Sequence, residues 1–210
     1  IAVTNKVNAS GPAKIDGEVD YDGEAIAKTT TGNATSRVGT DSVPLQDMVG
    51  TLLVTSKDVN SGGNLDISGK SDVYTASKAT TQSGSATASV NSNPVKGVKS
   101  NAGVTYQAGG KLTVDGKAIF KADVDSVSVG SKYGSNGSTA KATVENVVGV
   151  DLSNLNSQPT SHPNKLVAHG AIKVDGLAKS ELNSKAVNTT GNSTAKTTTG
   201  LQNGILISNN

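Results

Sequence analysis

The sequence reads as an all-β protein built from four degenerate repeats of about 50 residues, and three observations carry that reading. Apolar and polar residues alternate at period two, one short pattern with a central glycine recurs four times, and Gly/Asn/Ser turns fall at matching places. Short strands are expected, arranged as β-solenoid-like coils or stacked hairpins, with a β-sandwich as the alternative and assembly into a polymer. The repeats fall at approximately 1–50, 51–97, 98–150 and 151–210, within a single repetitive β domain spanning 1–210.

The first element reads AKIDGEVDY from Ala13, LDISGKSDV from Leu65, LTVDGKAIF from Leu112 and LVAHGAIKV from Leu166, at spacings of 52, 47 and 54 residues. Taking every second residue aligns Ala13, Leu65, Leu112 and Leu166 at the start, Gly17, Gly69, Gly116 and Gly170 in the middle, and Tyr21, Val73, Phe120 and Val174 at the end. Alternation places these residues on one face of a strand, with Lys, Asp and Ser on the other. A glycine column inside a strand marks a bulge, a bend or the close approach of another backbone.

The second element follows a turn: TGNATSRV from Thr31, SGSATASV from Ser83, NGSTAKATV from Asn136 and TGNSTAKTT from Thr190. Its matched residues are Ala34, Ala86, Ala140 and Ala195, then Val38, Val90, Val144 and Thr199. The turn residues tolerate positive φ, as a hairpin or an arc requires. A third short element closes each repeat around Gly50, Gly97, Gly149 and Gly204, followed within two residues by Leu52, Val98, Val150 and Ile205. Connections of varying length carry Pro44, Pro94, Pro159 and Pro163, as expected of loops.

Composition limits what holds such a protein together. Aromatic residues make up 2% of the chain, with one Phe and no Trp. Since each buried methylene contributes about 0.8 kcal/mol, a core of Ala, Val, Ser and Thr gains little from hydrophobicity alone. Backbone ladders, close approach of sheets and burial against neighbouring copies must supply the rest. Disorder is disfavoured because the net charge is only +2 and the apolar residues are ordered along the chain.

The same inventory excludes several classes. With no Cys, neither disulfides nor thiolate metal sites are available. No apolar run is long enough for a membrane span, and no basic-plus-apolar leader is visible. The chain starts at Ile1 without a Met, as a trimmed secretory product or an excised segment would, and an extracellular or cell-surface location is expected. Arg37 is the only Arg and Lys is scattered among 17 acids, so no nucleic-acid-binding surface is indicated.

No catalytic, cofactor-binding or metal-ligating residue is assigned, and the protein is expected not to be an enzyme. The two histidines suggest surface roles: His169 as an outward position of the fourth strand, opposite Asp16, Ser68 and Asp115, and His162 in a Pro-flanked loop. The acids Asp16, Asp20, Asp22 and Glu24, with Asp123 and Asp125, could present oxygens to Ca²⁺. Their spacing matches neither an EF-hand nor a glycine/aspartate nonapeptide, so solvated charge is the favoured reading. Glycan acceptor sequons at Asn33, Asn136 and Asn192 fall at turns, where Asn is also preferred for its backbone geometry.

The last repeat ends in ILISNN, with Ile205 and Ile207 alternating close to the end, and neither end shows a polar cap. Such an end suits a strand awaiting a partner from its own chain or from another copy. With its G-N-[AS]-T turns linking strands of small residues, the chain resembles repeat-containing β-rich secreted surface and fibre proteins, of the sheath, filament or functional-amyloid type. The resemblance covers the whole chain and is compositional. It implies a structural subunit of a self-assembling filament, tube or sheath in the cell envelope or matrix, with itself as partner and no cofactor. The alternative is an adhesin or phage-fibre binding module that contacts glycans.

Overall fold

The computed structural model describes residues 1–4, 6–53, 58–101, 103–129, 137–153 and 164–207. Among them lie β1 (Ala2–Val3), β2 (Val7–Ala9), β3 (Ala13–Thr29), β4 (Ala34–Val38), β5 (Met48–Leu53), β6 (Val59–Ser61), β7 (Leu65–Thr81) and β8 (Ala86–Ser92). The chain continues through β9 (Val95–Ser100), β10 (Thr105–Ala108), β11 (Leu112–Ser128), β12 (Gly137–Asp151), β13 (Lys165–Ala168), β14 (Ile172–Asn188) and β15 (Asn192–Leu206). They form three sheets. A long-strand sheet runs β14-β11-β7-β3, a short-strand sheet runs β13-β10-β6-β2, and a seven-stranded sheet runs β1-β5-β9-β12-β8-β4 with β15 also paired to β12.

Every pairing is parallel. This corrects the expected fold class. Four of the strands are 17 residues long rather than short. Stacked hairpins and an antiparallel sandwich both need antiparallel neighbours, and a solenoid is not shown either: the seven-stranded sheet instead curls into a half-barrel. All-parallel pairing is the habit of α/β proteins, whose crossovers run through helices. Among the described residues there is no helix, and the crossovers use turns and strands of the other sheets.

The register also corrects the fourth repeat. Leu112 pairs with Leu65 and Leu65 with Ala13, but the partner of Leu112 on the other side is Ile172, not Leu166. Leu166 belongs to β13 and pairs with Tyr106 in the short-strand sheet. The glycine row of the long strands is therefore Gly17, Gly69, Gly116 and Gly176, while Gly170 lies in a turn where its N–H donates to Gly110 O (2.9 Å). In the second element the match slips by two residues: Ala140 lies opposite Ala88 and Ala195, and Ser138 opposite Ala86. A slip of two keeps the same face, so alternation alone does not reveal it.

In the curled sheet the ladder pairs residues on either side of Gly50, Gly97, Gly149 and Gly204 but not the glycines themselves. Alternation breaks there, for Val95 and Val98 both point into the core although they are three residues apart. The residue facing inward after the glycine is thus Thr51, Val98, Val150 or Ile205, and Leu52 is displaced from that row. The first two repeats also break this strand into β4/β5 and β8/β9, near Pro44 and Pro94, which cannot donate to a ladder. The third runs through as β12.

These glycines lie where the two large sheets touch. A Cβ built on Gly116 would sit 2.0 Å from Gly149 O, and one on Gly69 would sit 2.1 Å from Gly97 O. The contact repeats at Gly17 with Gly50 O and at Gly176 with Gly204 O. Close backbone approach is the reason for both glycine columns. This waist separates two buried clusters. On one side pack Ile15, Leu53, Leu65, Ile67, Leu112 and Tyr106, and on the other Phe120, Val73, Val90, Val124, Val144 and a set of alanines.

Small residues let the sheets come close enough for side-chain hydroxyls to reach the opposite backbone. Ser126 Oγ donates to Ala86 O (2.8 Å), Ser71 Oγ to Lys96 O (2.6 Å), Ser36 Oγ to Ala25 O (2.7 Å) and Thr81 Oγ1 to Gly32 O (2.7 Å). These four buried hydroxyls are paired, and each such bond contributes about 0.5–1.5 kcal/mol net. Among the described residues only Asn60 Oδ1 and Thr143 Oγ1 are buried without a partner. These stitches substitute for the aromatic packing that the composition withholds.

Candidate functional site

The three sheets stack their strands in chain order, so among the described residues each ends in an unpaired strand on both sides. At the C-terminal side these are β13, β14 and β15; at the N-terminal side they are β2, β3 and β4, with β1 lying outside β5. Long open edges of this kind expose rows of backbone N–H and C=O groups, which natural proteins usually shorten, twist away or cover. Here β14 and β15, of 17 and 15 residues, have no further strand beside them among the described residues.

The inward face of the last layer is divided at the waist. On one side Ile172 and Ile205 remain 47% and 41% exposed, an apolar end left uncovered. On the other side the pattern turns polar. Ser180 stands where Phe120 and Val73 stand in the inner layers, Thr197 opposite Ala142, and Gln202 opposite Val147. Gln202 Nε2 donates to Ala178 O (3.1 Å), while Ser180 Oγ donates to Gln202 Oε1 (2.7 Å). This corrects the expectation that the last repeat has no polar cap: half of its face carries one. The signal was present in the run of Thr and Gln from Thr194 to Gln202, but the misplaced fourth copy hid what these residues faced.

The acidic residues of β3 are spread along its outer face, and three of them, Asp16, Glu18 and Glu24, have partners on β7. Glu18 takes Lys70 Nζ at 2.5 Å and Glu24 takes Lys78 at 3.6 Å. Asp16 accepts from Ser68 Oγ (2.6 Å) and pairs with Lys14 (3.2 Å), which together hold its carboxyl below the ordinary carboxylate range. The hydrogen bond to Glu18 in turn pushes the Lys70 ammonium pKa up. Asp123 accepts from Tyr74 OH (3.1 Å) and Asn183 Nδ2 (2.9 Å), and the first of these bonds raises the phenol pKa. No three of these acids converge as a metal cage among the described residues.

His169 is exposed in the turn after β13, where its N–H donates to Ala108 O (3.2 Å), and Asp175 occupies the strand position expected for it. His162 and Asn136 lie outside the described residues. Asn33 is exposed, and its Oδ1 accepts from the Ser85 N–H (2.9 Å); Asn192 opens β15.

Sequence reasoning missed one charged pair. Lys96 Nζ and Asp151 Oδ2 lie 2.5 Å apart, with side chains 5% and 1% exposed. Asp151 is further satisfied by the Ser153 N–H (3.0 Å) and Ser153 Oγ (2.5 Å). Nothing in the period-two pattern marks either residue. A buried pair of this kind adds little net stability, although removing one partner is costly.

No family model, curated protein or solved structure matches the chain. The resemblance to secreted fibre proteins thus rests on turn and strand composition alone.

Proposed function

We propose that the protein is a structural subunit that polymerises with copies of itself in an extracellular filament, tube or sheath wall. The observation that supports this is the pair of open parallel edges, β14 and β15 on one side and β3 and β4 on the other, in a chain whose inner layers are buried only because another layer lies on each side. Backbone pairing between copies would continue the ladders and cover Ile172 and Ile205, giving a wall held by hydrogen bonds and close-packed small side chains. The chemistry is mechanical, with no bound cofactor required.

A second reading, an adhesin or phage-fibre segment that contacts glycans, draws support from the polar half of the last layer, where Ser180, Thr197 and Gln202 face the open end. Negative-stain electron microscopy over a concentration series separates the two. Regular polymers whose length grows with concentration support the structural subunit. Discrete particles at every concentration, with glycan-array signal, favour the binder.

A further inference from the structure

We propose that one copy adds to the next head to tail and in register, β14 pairing with β3 of the following copy so that Ile172 meets Ala13 and Gly176 meets Gly17, and that Ile1–Val3 occupies the lane that the arriving strand end must take. The inference rests on the polymer reading above and specifies its interface.

Register is the first argument. All three internal contacts of the long-strand sheet use the same 17 positions, glycine opposite glycine. The waist fixes this setting between layers as well as within them. A Cβ on Gly50 would meet Lys70 N at 2.4 Å, one on Gly97 would meet Lys117 N at 2.4 Å, and one on Gly149 would meet Leu177 N at 2.5 Å. In each case the curled-sheet glycine abuts the residue that follows the glycine of the next long strand. For Gly204 the only close atoms among the described residues belong to Gly176 of its own layer. Docking in register brings the Glu18 amide of the second copy to that place and continues the series.

Side-chain size is the second argument. In this register Leu182 faces Gly23, whose missing Cβ is replaced by the Tyr21 ring folded over it, with Tyr21 Oη 2.5 Å from the ideal Cβ position. Tyr21 itself faces Ser180, and Ile172 faces Ala13, so in these three rows a large residue meets a small one. On the outer face Lys179 meets Asp20. The like-charged rows Asp175/Asp16 and Glu181/Asp22 have internal precedents in Asp115/Asp175 and Asp72/Asp20, which the protein already accommodates.

The same register carries β15 alongside β4 and on toward β5. That lane is partly taken. Leu52 is paired to Ala2 on one side and to Lys99 on the other, and Lys99 leads through Asp151 to Leu206. Ala2 therefore holds the place that Leu206 of another copy would take, with Ile1 in the place of Ile205 and Val3 in that of Ile207. Ile1–Val3 must leave this lane before the strand end of a second copy can fill it. Its release becomes a step in assembly.

Because the chain has no Cys, engineered thiols report without background. The double variant Leu177→Cys with Glu18→Cys places thiols directly opposite between copies, whereas Leu177→Cys with Asp16→Cys places them on a diagonal about 7–8 Å apart, beyond disulfide reach. After mild oxidation, the first variant is expected to give a ladder of covalent multimers on a denaturing gel and the second none. A ladder from the second pair, or polymers by microscopy with no ladder from the first, would overturn the register while leaving the polymer reading intact. Protein that stays monomeric at every concentration sinks both. Deleting Ile1–Val3 is expected to shorten the assembly lag at least several-fold; an unchanged or longer lag would show that this segment does not hold the lane.

Discussion

β11 and β14 are paired residue for residue over the same 17 positions, yet they live in different environments. In β11 the inward residues Ala118, Phe120, Ala122 and Val124 are at most 1% exposed. Their partners Ala178, Ser180, Leu182 and Ser184 are only partly buried. The alternation is the same and the facing sheet is the same. What differs is that β11 has a strand on both sides and β14 on one. Burial in this molecule is thus decided by layers rather than by pattern, and the last layer has answered its exposure with hydroxyls on one side of the waist while leaving Ile172 and Ile205 on the other.

The sharpest way to break this comparison is at the waist. Gly116→Val pushes a side chain into Gly149 O with no room for either sheet to move, and a loss exceeding about 4 kcal/mol is expected in denaturant unfolding. Gly176→Val makes the same clash in the outer layer, where β14 can move away, and should cost well under half as much. Equal losses would mean that the outer layer is as rigid as the inner one. Phe120→Ala removes a fully buried ring and should lower stability by about 3–5 kcal/mol, by the usual range for such truncations. Ser180→Ala in the same row should stay within about 1 kcal/mol.

Asp151→Ala would leave Lys96 buried without its counter-charge, and a loss of about 3–5 kcal/mol is expected, measurable as a fall in the unfolding midpoint. Replacing both by well-packed apolar residues should recover most of it. The smallest effect lies at Asp16. Its folded carboxyl titrates below the unfolded one, so its contribution is present above the ordinary carboxylate range and fades as pH falls through the folded pKa. Asp16→Asn should remove that acid-side slope and leave thermal stability at neutral pH nearly unchanged, since the site is open to solvent.

Much of this was legible in the residues. Period-two alternation from Ala13, Leu65 and Leu112 identifies strands that the structure pairs in that same alignment, and the glycine inside each marks a close backbone approach. Strand direction was not legible, because alternation is the same for parallel and antiparallel neighbours. Nor was strand length, since Ala, Ser and Thr at inward positions carry too little hydrophobic contrast to show the pattern continuing to residue 128. The fourth repeat was misplaced because LVAHG imitates the leucine and glycine of the motif, although VDG at Val174–Gly176 repeats the VDG at Val114–Gly116 without change. Beyond the ILISNN end, legible as a strand awaiting a partner, the edges of the sheets could not be read as a site. They are defined by which strand lies last, a property of the stack and not of any residue.

Hydrogen exchange at β14 and β15, followed over a concentration series, tests the central claim most directly. In dilute solution the outward amides of these strands should exchange rapidly while those of β7 and β11 stay protected. As concentration rises, protection should appear along β14 and β15 and, at the same concentrations, along β3 and β4. Protection of these strands that does not depend on concentration would show that the layers end with the chain, and would contradict the account.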